Sequence, residues 1–438
     1  MVFPFLREKQ LTVTFTGGNM SSDGGLVFLR QLEARVPIID RVVQVLSDLR
    51  DQRYITHDTA TLLRQRVYQI VAGYVDGNDA TTLRHDPLLK ACCTGELGAD
   101  AALASQPTFS RLENSITRSD LYRIADVLAD AYVASYTKRP KEIILDLDTT
   151  DDPTHGAQQL AFFNGFYDTH MYHPLLFSDG HRGTLITAVL RPGNAGNGTG
   201  ALSVLKRLVQ KIRTRWKGMR IIVRADAGFA MPDLYEYCES EGIFYIIGFY
   251  STEPLRTLNQ SHLDRAQRRY QRTHQKVRHL SSTFYQARSW SKRRRILMKA
   301  EVTPQGDNQR FVITNLPGRA LALYDFYAAR GQMENQVIKE FKLDLQADRL
   351  SCHRFLANQF RLLVHAIAYH LLHALRQHLH GTELASARME RLRSTVLKIG
   401  ARVHTTVRRM WVEFVSGYPF QDVLHTLFTR LCTTPSSA

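Results

Sequence analysis

The spacing of apolar residues changes along the chain, and each change marks a different kind of element. From the start to about residue 138 the spacing is helical. Thr59 to Ala72 places apolar side chains three and four apart, with Asp58 positioned to cap the first turn. Ala80 to Lys90 predicts a weaker second helix that Pro87 should end or kink. Gly73 and Gly77-Asn-Asp79 separate the two. The pair reads equally as a helix-turn-helix or as part of a plain bundle. From Glu142 the pattern becomes short and strand-like: Ile143 to Leu147, Tyr172 to Phe177, then Leu185 to Leu190, which stops at Arg191-Pro-Gly-Asn194. Helical spacing over Ala201 to Trp216, a strand at Ile221 to Ala225, a helix at Pro232 to Glu241 and a strand at Phe244 to Gly248 follow. The order β-β-β-α-β-α-β predicts a mixed sheet flanked by helices. Two more strand-like runs, Ile296 to Val302 and Phe311 to Asn315, are joined by a turn at Gly306-Asp-Asn308, and helices resume near Ala320. The most apolar of these, Phe355 to Leu375, is broken by Arg361 and several histidines, which predicts a buried helix and not a membrane span. The tail Thr433 to Ala438 is expected to fray.

Charge narrows the function. The 438 residues are 44% hydrophobic and 22% charged, a globular composition with room for two or three domains. A net charge of +16 draws the chain to polyanions, of which nucleic acid is the usual one. The excess concentrates between Ser261 and Ala300, where Asp264 is the only acid. None of the five cysteines forms a Cys-x-x-Cys pair, so the thiols read as reduced and cytosolic rather than as a structural zinc site. Met1 to Lys9 is too short and too charged for a signal peptide.

Three acids stand in settings that suit a metal site. Asp148 ends the run Glu142-Ile-Ile-Leu-Asp-Leu-Asp148, Asp226 ends Arg220-Ile-Ile-Val-Arg-Ala-Asp226, and Glu334 lies in the helical stretch Tyr327 to Lys339. Two carboxylates at strand ends and one on a later helix can converge on a pair of divalent ions, which is the arrangement phosphodiester cleavage uses. Asp146 shares a strand face with Asp148, and Asp151 and Asp152 follow on the loop, so Asp148 leads only modestly on residue types alone. Arg330 lies four residues before Glu334 and Tyr327 seven before it, roughly on one helix face; an Arg330–Glu334 ion pair explains the spacing as well as a phosphate contact does. Trp290 in the basic stretch reads either as a core residue or as a stacking platform. His370 and His373 fit one face of a helix better than a ligand pair, while His155 and His181 fall near the acids in sequence.

Longer motifs bring in a resemblance. Asp146-Leu-Asp-Thr-Thr-Asp-Asp-Pro-Thr-His-Gly156, Phe163-Asn-Gly-Phe-Tyr167, Arg224-Ala-Asp-Ala-Gly-Phe229 and Arg330-Gly-Gln-Met-Glu-Asn335 resemble the DDE transposases of bacterial insertion sequences. The superfamily is the insertion-sequence-four group, and the match looks like its IS-thirteen-eighty branch. Phe15-Thr-Gly-Gly-Asn19, Ser22-Asp-Gly-Gly-Leu26 and Pro107-Thr-Phe-Ser-Arg-Leu-Glu-Asn114 are similar to the same branch, so the likeness runs over most of the chain.

The resemblance implies an α/β fold. Its RNase H-like catalytic core, a mixed sheet flanked by helices, is interrupted by a β-rich insertion and accompanied by a mostly helical N-terminal domain and a helical C-terminal region. The expected boundaries are a DNA-binding domain at 1–138, the core at 139–250, the basic insertion at 251–318, the helical part of the core at 319–380 and the C-terminal region at 381–438. It implies Asp148, Asp226 and Glu334 as catalytic, metal-binding triad, holding two Mg²⁺ or Mn²⁺ ions. Asp148 and Asp226 are 78 residues apart, and Asp226 and Glu334 are 108 apart, the longer gap holding the insertion. Tyr327 and Arg330 match the signature around the last acid and are implied to contact a DNA phosphate. The signature lysine position instead falls on Phe341, with Lys339 and Lys342 on either side, and Lys339 is the first choice for its role. Trp290 is implied as a base-stacking contact, and Arg293, Arg294 and Arg295 read from the charge of the stretch as further DNA contacts. The expected partners are double-stranded DNA, as terminal inverted repeats and as target, with a homodimer in the active complex, in a bacterial cytoplasm near the nucleoid. The expected activity is cut-and-paste transposition. A nuclease without strand transfer and a transposase-derived DNA-binding regulator are the competing readings, and the intact triad argues against the second.

Overall fold

The computed structural model describes residues 1–3, 11–51, 53–96 and 101–433, with the side chains of 332–335 excepted. The chain forms two compact units. One comprises 125–339 and 350–362, the other 1–124, 340–349 and 363–438.

The first unit is built on an eight-stranded sheet. Its strands are β1 (Glu142–Thr149), β2 (Leu175–Asp179), β3 (Thr184–Val189), β4 (Arg220–Ala225), β5 (Phe244–Phe249), β6 (Val277–Tyr285), β7 (Arg294–Thr303) and β8 (Gly306–Thr314), in the order β6-β7-β8-β5-β4-β1-β2-β3. β1, β4 and β5 run parallel; the rest pair antiparallel to their neighbours. Helices α1 (Ala201–Arg215) and α2 (Pro232–Ser240) supply the crossovers that parallel strands need. The sequence-derived order β-β-β-α-β-α-β appears as expected up to β5. The run expected at Tyr172 to Phe177 divides at His173-Pro174, with Thr169–Tyr172 going to a small separate sheet.

Strand alternation gives the sheet two faces. Ile143, Leu145 and Leu147 of β1 and Ile221, Val223 and Ala225 of β4 join one large core with α1 and α2. The opposite face presents Ile144 and Ile222, packed against Leu323 and Tyr324 of α4 (Ala320–Ala328). Asp146, Asp148, Arg224 and Asp226 share that second face by the same alternation. Each aliphatic chain fully buried in this way contributes about 1.5–3 kcal/mol, so the register that buries the first face is strongly fixed.

The β-rich insertion differs from the expected separate block. Its strands continue the core sheet, because β8 pairs with β5 from Ile246↔Thr314 to Phe249↔Phe311. It also contains a long helix, α3 (Glu253–Thr273), whose Leu263 and Ala266 pack on Val277, Ala300 and Val302. Arginines dominate its exposed side and hide that narrow apolar stripe from a sequence reading.

In the other unit, helix Thr59–Val71 forms as expected, and Asp58 accepts from the Thr61 N–H at 2.6 Å. Pro87 begins a helix instead of ending one: Asp86 caps Pro87–Thr94, where the missing proline N–H costs nothing. The boundaries expected at 138 and 380 do not follow the unit division, because N-terminal helices and the C-terminal segment share this unit. Nor is that segment wholly helical. Strands Ala401–Thr405 and Met410–Phe414 pair there, and Ala401 pairs with Ser21. The Asp23-Gly24-Gly25 motif has a packing role: a Cβ at Gly25 would lie 1.7 Å from the Val396 carbonyl oxygen. The tail beyond Thr433 lies outside the described residues. No helix among the described residues is long and apolar enough to cross a membrane.

Candidate active site

The ladder between β1 and β4 sets Arg224 opposite Asp146 and Ala225 opposite Leu147, so Asp226 follows beside Asp148 at the same end of two adjacent parallel strands. Each carboxylate is fixed by a backbone N–H. Asp148 Oδ1 accepts from Thr149 at 2.8 Å, and Asp226 Oδ1 accepts from Gly228 at 2.8 Å as it caps the short turn Ala227–Phe229. Burial pushes the Asp148 carboxyl up to about 6, the nearby charges of Asp226 and Asp146 push the same way, and Thr149 and Arg330 partly oppose them. Two carboxylates side by side at the ends of adjacent strands offer hard oxygen donors to a cation. Among the described residues no group of three or more His, Cys, Asp or Glu side chains is placed to hold a metal ion.

The third acid stands on α5 (Arg330–Ile338), which follows α4 and packs against β1. The Glu334 side chain lies outside the described residues. Two residues that precede it in the chain have described positions. Arg330 acts electrostatically on Asp148, and its guanidinium sits 5.6 Å from the Tyr327 ring centre. The Tyr327 hydroxyl lies against Gly248 of β5, where a Cβ would approach it to 2.6 Å and the Ala227 nitrogen to 2.7 Å. Lys339 is exposed, and Phe341, at the signature lysine position, is buried at 2%.

Other candidates take different places. Asp146 is bound to Arg224, with two contacts of 2.7 and 2.6 Å, and Gly180 leaves the room for that pair. Trp290 is not an exposed platform: it is 6% exposed and packs edge-on against Tyr235, Phe249 and Tyr285. Arg294 also differs from its expected DNA role. It is 3% exposed and forked onto Glu239 at 2.8 and 2.9 Å. Arg295 ties the Leu316 and Gly318 carbonyls and is half-buried, and Arg293 is the exposed one of the three arginines. The alternation of β7 explains this, since it turns Arg294 inward and its neighbours elsewhere. His181 pairs with Glu142 at 3.6 Å, at the opposite end of β1 from Asp148.

Several supporting residues escaped the sequence reading. Arg191, buried at 4%, gathers the loop after β3 by donating to the carbonyls of His173, Gly196, Asn197 and Thr199. Asn197 then packs on Gly228, where a Cβ would lie 2.2 Å from its Nδ2. His173, 3% exposed, bonds through Nδ1 to the Ala195 carbonyl at 2.8 Å and feels the charge of Asp226. Gly248 carried a usable signal, since glycine inside a strand often marks close approach of another group. A buried arginine without a carboxylate partner leaves none.

No curated protein matches the chain. Among solved structures, that of a piggyBac transposase synaptic complex with hairpin DNA is similar at a TM-score of 0.44 and 10% identity, covering 86% of this chain and 79% of that one. The family described as transposase DDE domain group 1 matches residues 3–436, and the chain belongs to that family.

Proposed function

We propose that this chain is a DNA transposase that cleaves the ends of its element and joins them to target DNA. In this reading the unit carrying the eight-stranded sheet is an RNase H-like core, and Asp148, Asp226 and Glu334 are its catalytic residues. The reading rests on one observation above all: Asp148 and Asp226 end adjacent parallel strands on one face, where burial and the charge of Asp226 raise the cost of ionising Asp148. A cation relieves that cost. The donor set is all carboxylate oxygen, which fits Mg²⁺ or Mn²⁺ and not a thiolate or imidazole metal. Asp148, Asp226 and Glu334 would hold such ions, which would supply activation of a water or hydroxyl and stabilisation of the leaving oxygen. The chain's own groups bind and orient. Arg330 holds a phosphate through its fork, Tyr327 seats the end of the preceding helix α4 over Gly248, and Lys339 extends the phosphate path. The motifs quoted above favour a bacterial insertion-sequence origin, in the insertion-sequence-four superfamily and its IS-thirteen-eighty branch, with a homodimer on paired DNA ends.

A plasmid carrying candidate terminal repeats tests this directly. The wild-type protein with Mg²⁺ should cut at the repeats and join them elsewhere, and Asp148→Asn should do neither while still binding. Cutting without joining would make the protein a nuclease, and binding without cutting would make it a regulator.

A further inference from the structure

The small sheet near the C-terminus leaves one edge open. Its strand order is Met410–Phe414, Ala401–Thr405, Met20–Ser21, so among the described residues Met410–Phe414 is paired on one side alone. The Thr406 N–H donates to the Arg409 carbonyl at 2.8 Å and closes the hairpin turn. From there the ladder alternates, which makes His404↔Trp411 and Arg402↔Glu413 the hydrogen-bonded pairs and Val403↔Val412 a pair without such bonds. Val403 agrees with that parity, because its N–H turns the other way, to the Asn19 carbonyl at 2.8 Å. The main-chain groups of Met410 and Val412 therefore point out of the open edge, where another strand can pair with them.

The side chains on this strand are arranged symmetrically. Trp411 is 42% exposed, with its ring centre 5.6 Å from that of His404. Arg409 stands two residues before it and Glu413 two residues after, so all three share a face, and all three are exposed. Neither charge is neutralised within the chain. Arg402 lies opposite Glu413 in the hairpin, yet Arg402, Arg409 and Glu413 enter no side-chain hydrogen bond or ion pair among the described residues.

A second copy of the same strand, laid antiparallel about a twofold axis through Trp411, complements this pattern. Arg409 of each copy meets Glu413 of the other, at both ends. The exposed Val407 of one copy is brought toward Val415 of the other. The main-chain parity fits as well. Trp411 against Trp411 is a pair without hydrogen bonds, where opposed side chains come closest, and Met410 against Val412 is a hydrogen-bonded one. Centring the axis on Met410 or on Val412 would set both charges opposite uncharged side chains.

We propose that Met410–Phe414 pairs antiparallel with the same strand of a second copy of this chain, about a twofold through Trp411 that sets each Arg409 against the other copy's Glu413. Such a contact is isologous and closes as a dimer. It needs neither DNA nor metal, so it stands apart from the cleavage reading.

Sedimentation of the full chain without DNA tests it. The wild type should associate to a dimer as concentration rises. Arg409→Glu and Glu413→Arg each oppose like charges at both ends of the strand pair, and each should raise the dimer dissociation constant by roughly 10-fold or more. The double exchange, Arg409→Glu with Glu413→Arg, should dimerise as the wild type does. So should an equimolar mixture of the two single variants, each pairing with the other. Melting temperatures measured at low concentration should coincide, since both side chains are exposed. The register has its own readout. In a Cys432→Ser background, which removes the exposed native thiol, Trp411→Cys should join two copies by a disulfide in oxidised glutathione, and Glu413→Cys should not. A wild type that stays monomeric, or single reversals that leave association unchanged, would overturn the proposal. So would a double exchange no better than the single ones, or equal cross-linking at both positions. If association follows the charges while the wild type cuts no DNA, the cleavage reading fails alone; if the wild type cuts DNA and the reversals leave association unchanged, this inference fails alone.

Discussion

Arg224 and Asp146 face each other across adjacent parallel strands, joined by two hydrogen bonds of 2.7 and 2.6 Å with both side chains buried. The pair occupies the same sheet face as Asp148 and Asp226, one step further in. It gives the two acids of β1 different work: Asp146 neutralises an internal guanidinium, while Asp148 at the strand end faces the site.

That division predicts opposite phenotypes. Asp148→Asn, Asp226→Asn and Glu334→Gln should each abolish strand cleavage and leave DNA binding intact with no loss of melting temperature, because each removes a ligand charge and keeps the shape. Asp146→Asn leaves Arg224 buried without its counter-charge and should destabilise the fold by about 3–5 kcal/mol. Cleavage assays and thermal melting on the four variants check it; normal melting with lost cleavage in Asp146→Asn would reverse the assignment on β1.

Metal dependence follows from the carboxylate donors. Mg²⁺ or Mn²⁺ should be required for cleavage, and chelation should stop it. Ca²⁺ should support DNA binding with little cleavage, since its looser coordination suits a paired-ion geometry poorly. Full activity in excess chelator would remove the mechanism.

The pH dependence carries a definite sign. The Asp148 carboxyl is raised from 3.8 to about 6 in the folded chain, so the neutral form is the one folding prefers. Its contribution to stability is complete below about pH 4 and is lost as pH rises through about 6. A bound cation offsets that loss. Mg²⁺ should therefore raise the melting temperature above pH 6 and have little effect near pH 4, and the difference should shrink in Asp148→Asn. A Mg²⁺ effect independent of pH would count against this.

The three consecutive arginines of the insertion should separate. Arg293→Ala should reduce the log–log salt slope of DNA binding by about one unit. Arg294→Ala should leave that slope alone and lower the melting temperature, because it strips Glu239 of its fork. Trp290→Ala should cost about 3–5 kcal/mol of stability and lose all activities together. Melting and salt titrations side by side decide the matter; an unchanged melting temperature in Trp290→Ala would return it to the DNA surface.

Local pattern determined much of this protein. The apolar runs of β1 and β4 are buried on both faces of the sheet, so the strands, their mixed sheet and the position of Asp148 and Asp226 at the strand ends were legible. So was the Asp58 cap, which needs only its own turn. Partners distant in sequence were not. Asp146 could not be told from Asp148 until Arg224 was placed opposite it, because pairing of strands 78 residues apart is a tertiary fact. Trp290 stood open between core and surface and Arg294 read as a surface group, and only packing against Tyr235, Phe249, Tyr285 and Glu239 decided both. Arg191 and the open edge at Met410–Phe414 emerged for the same reason. Burial and solvent exposure belong to the packed whole, and a run of residues states only which atoms are available to be buried.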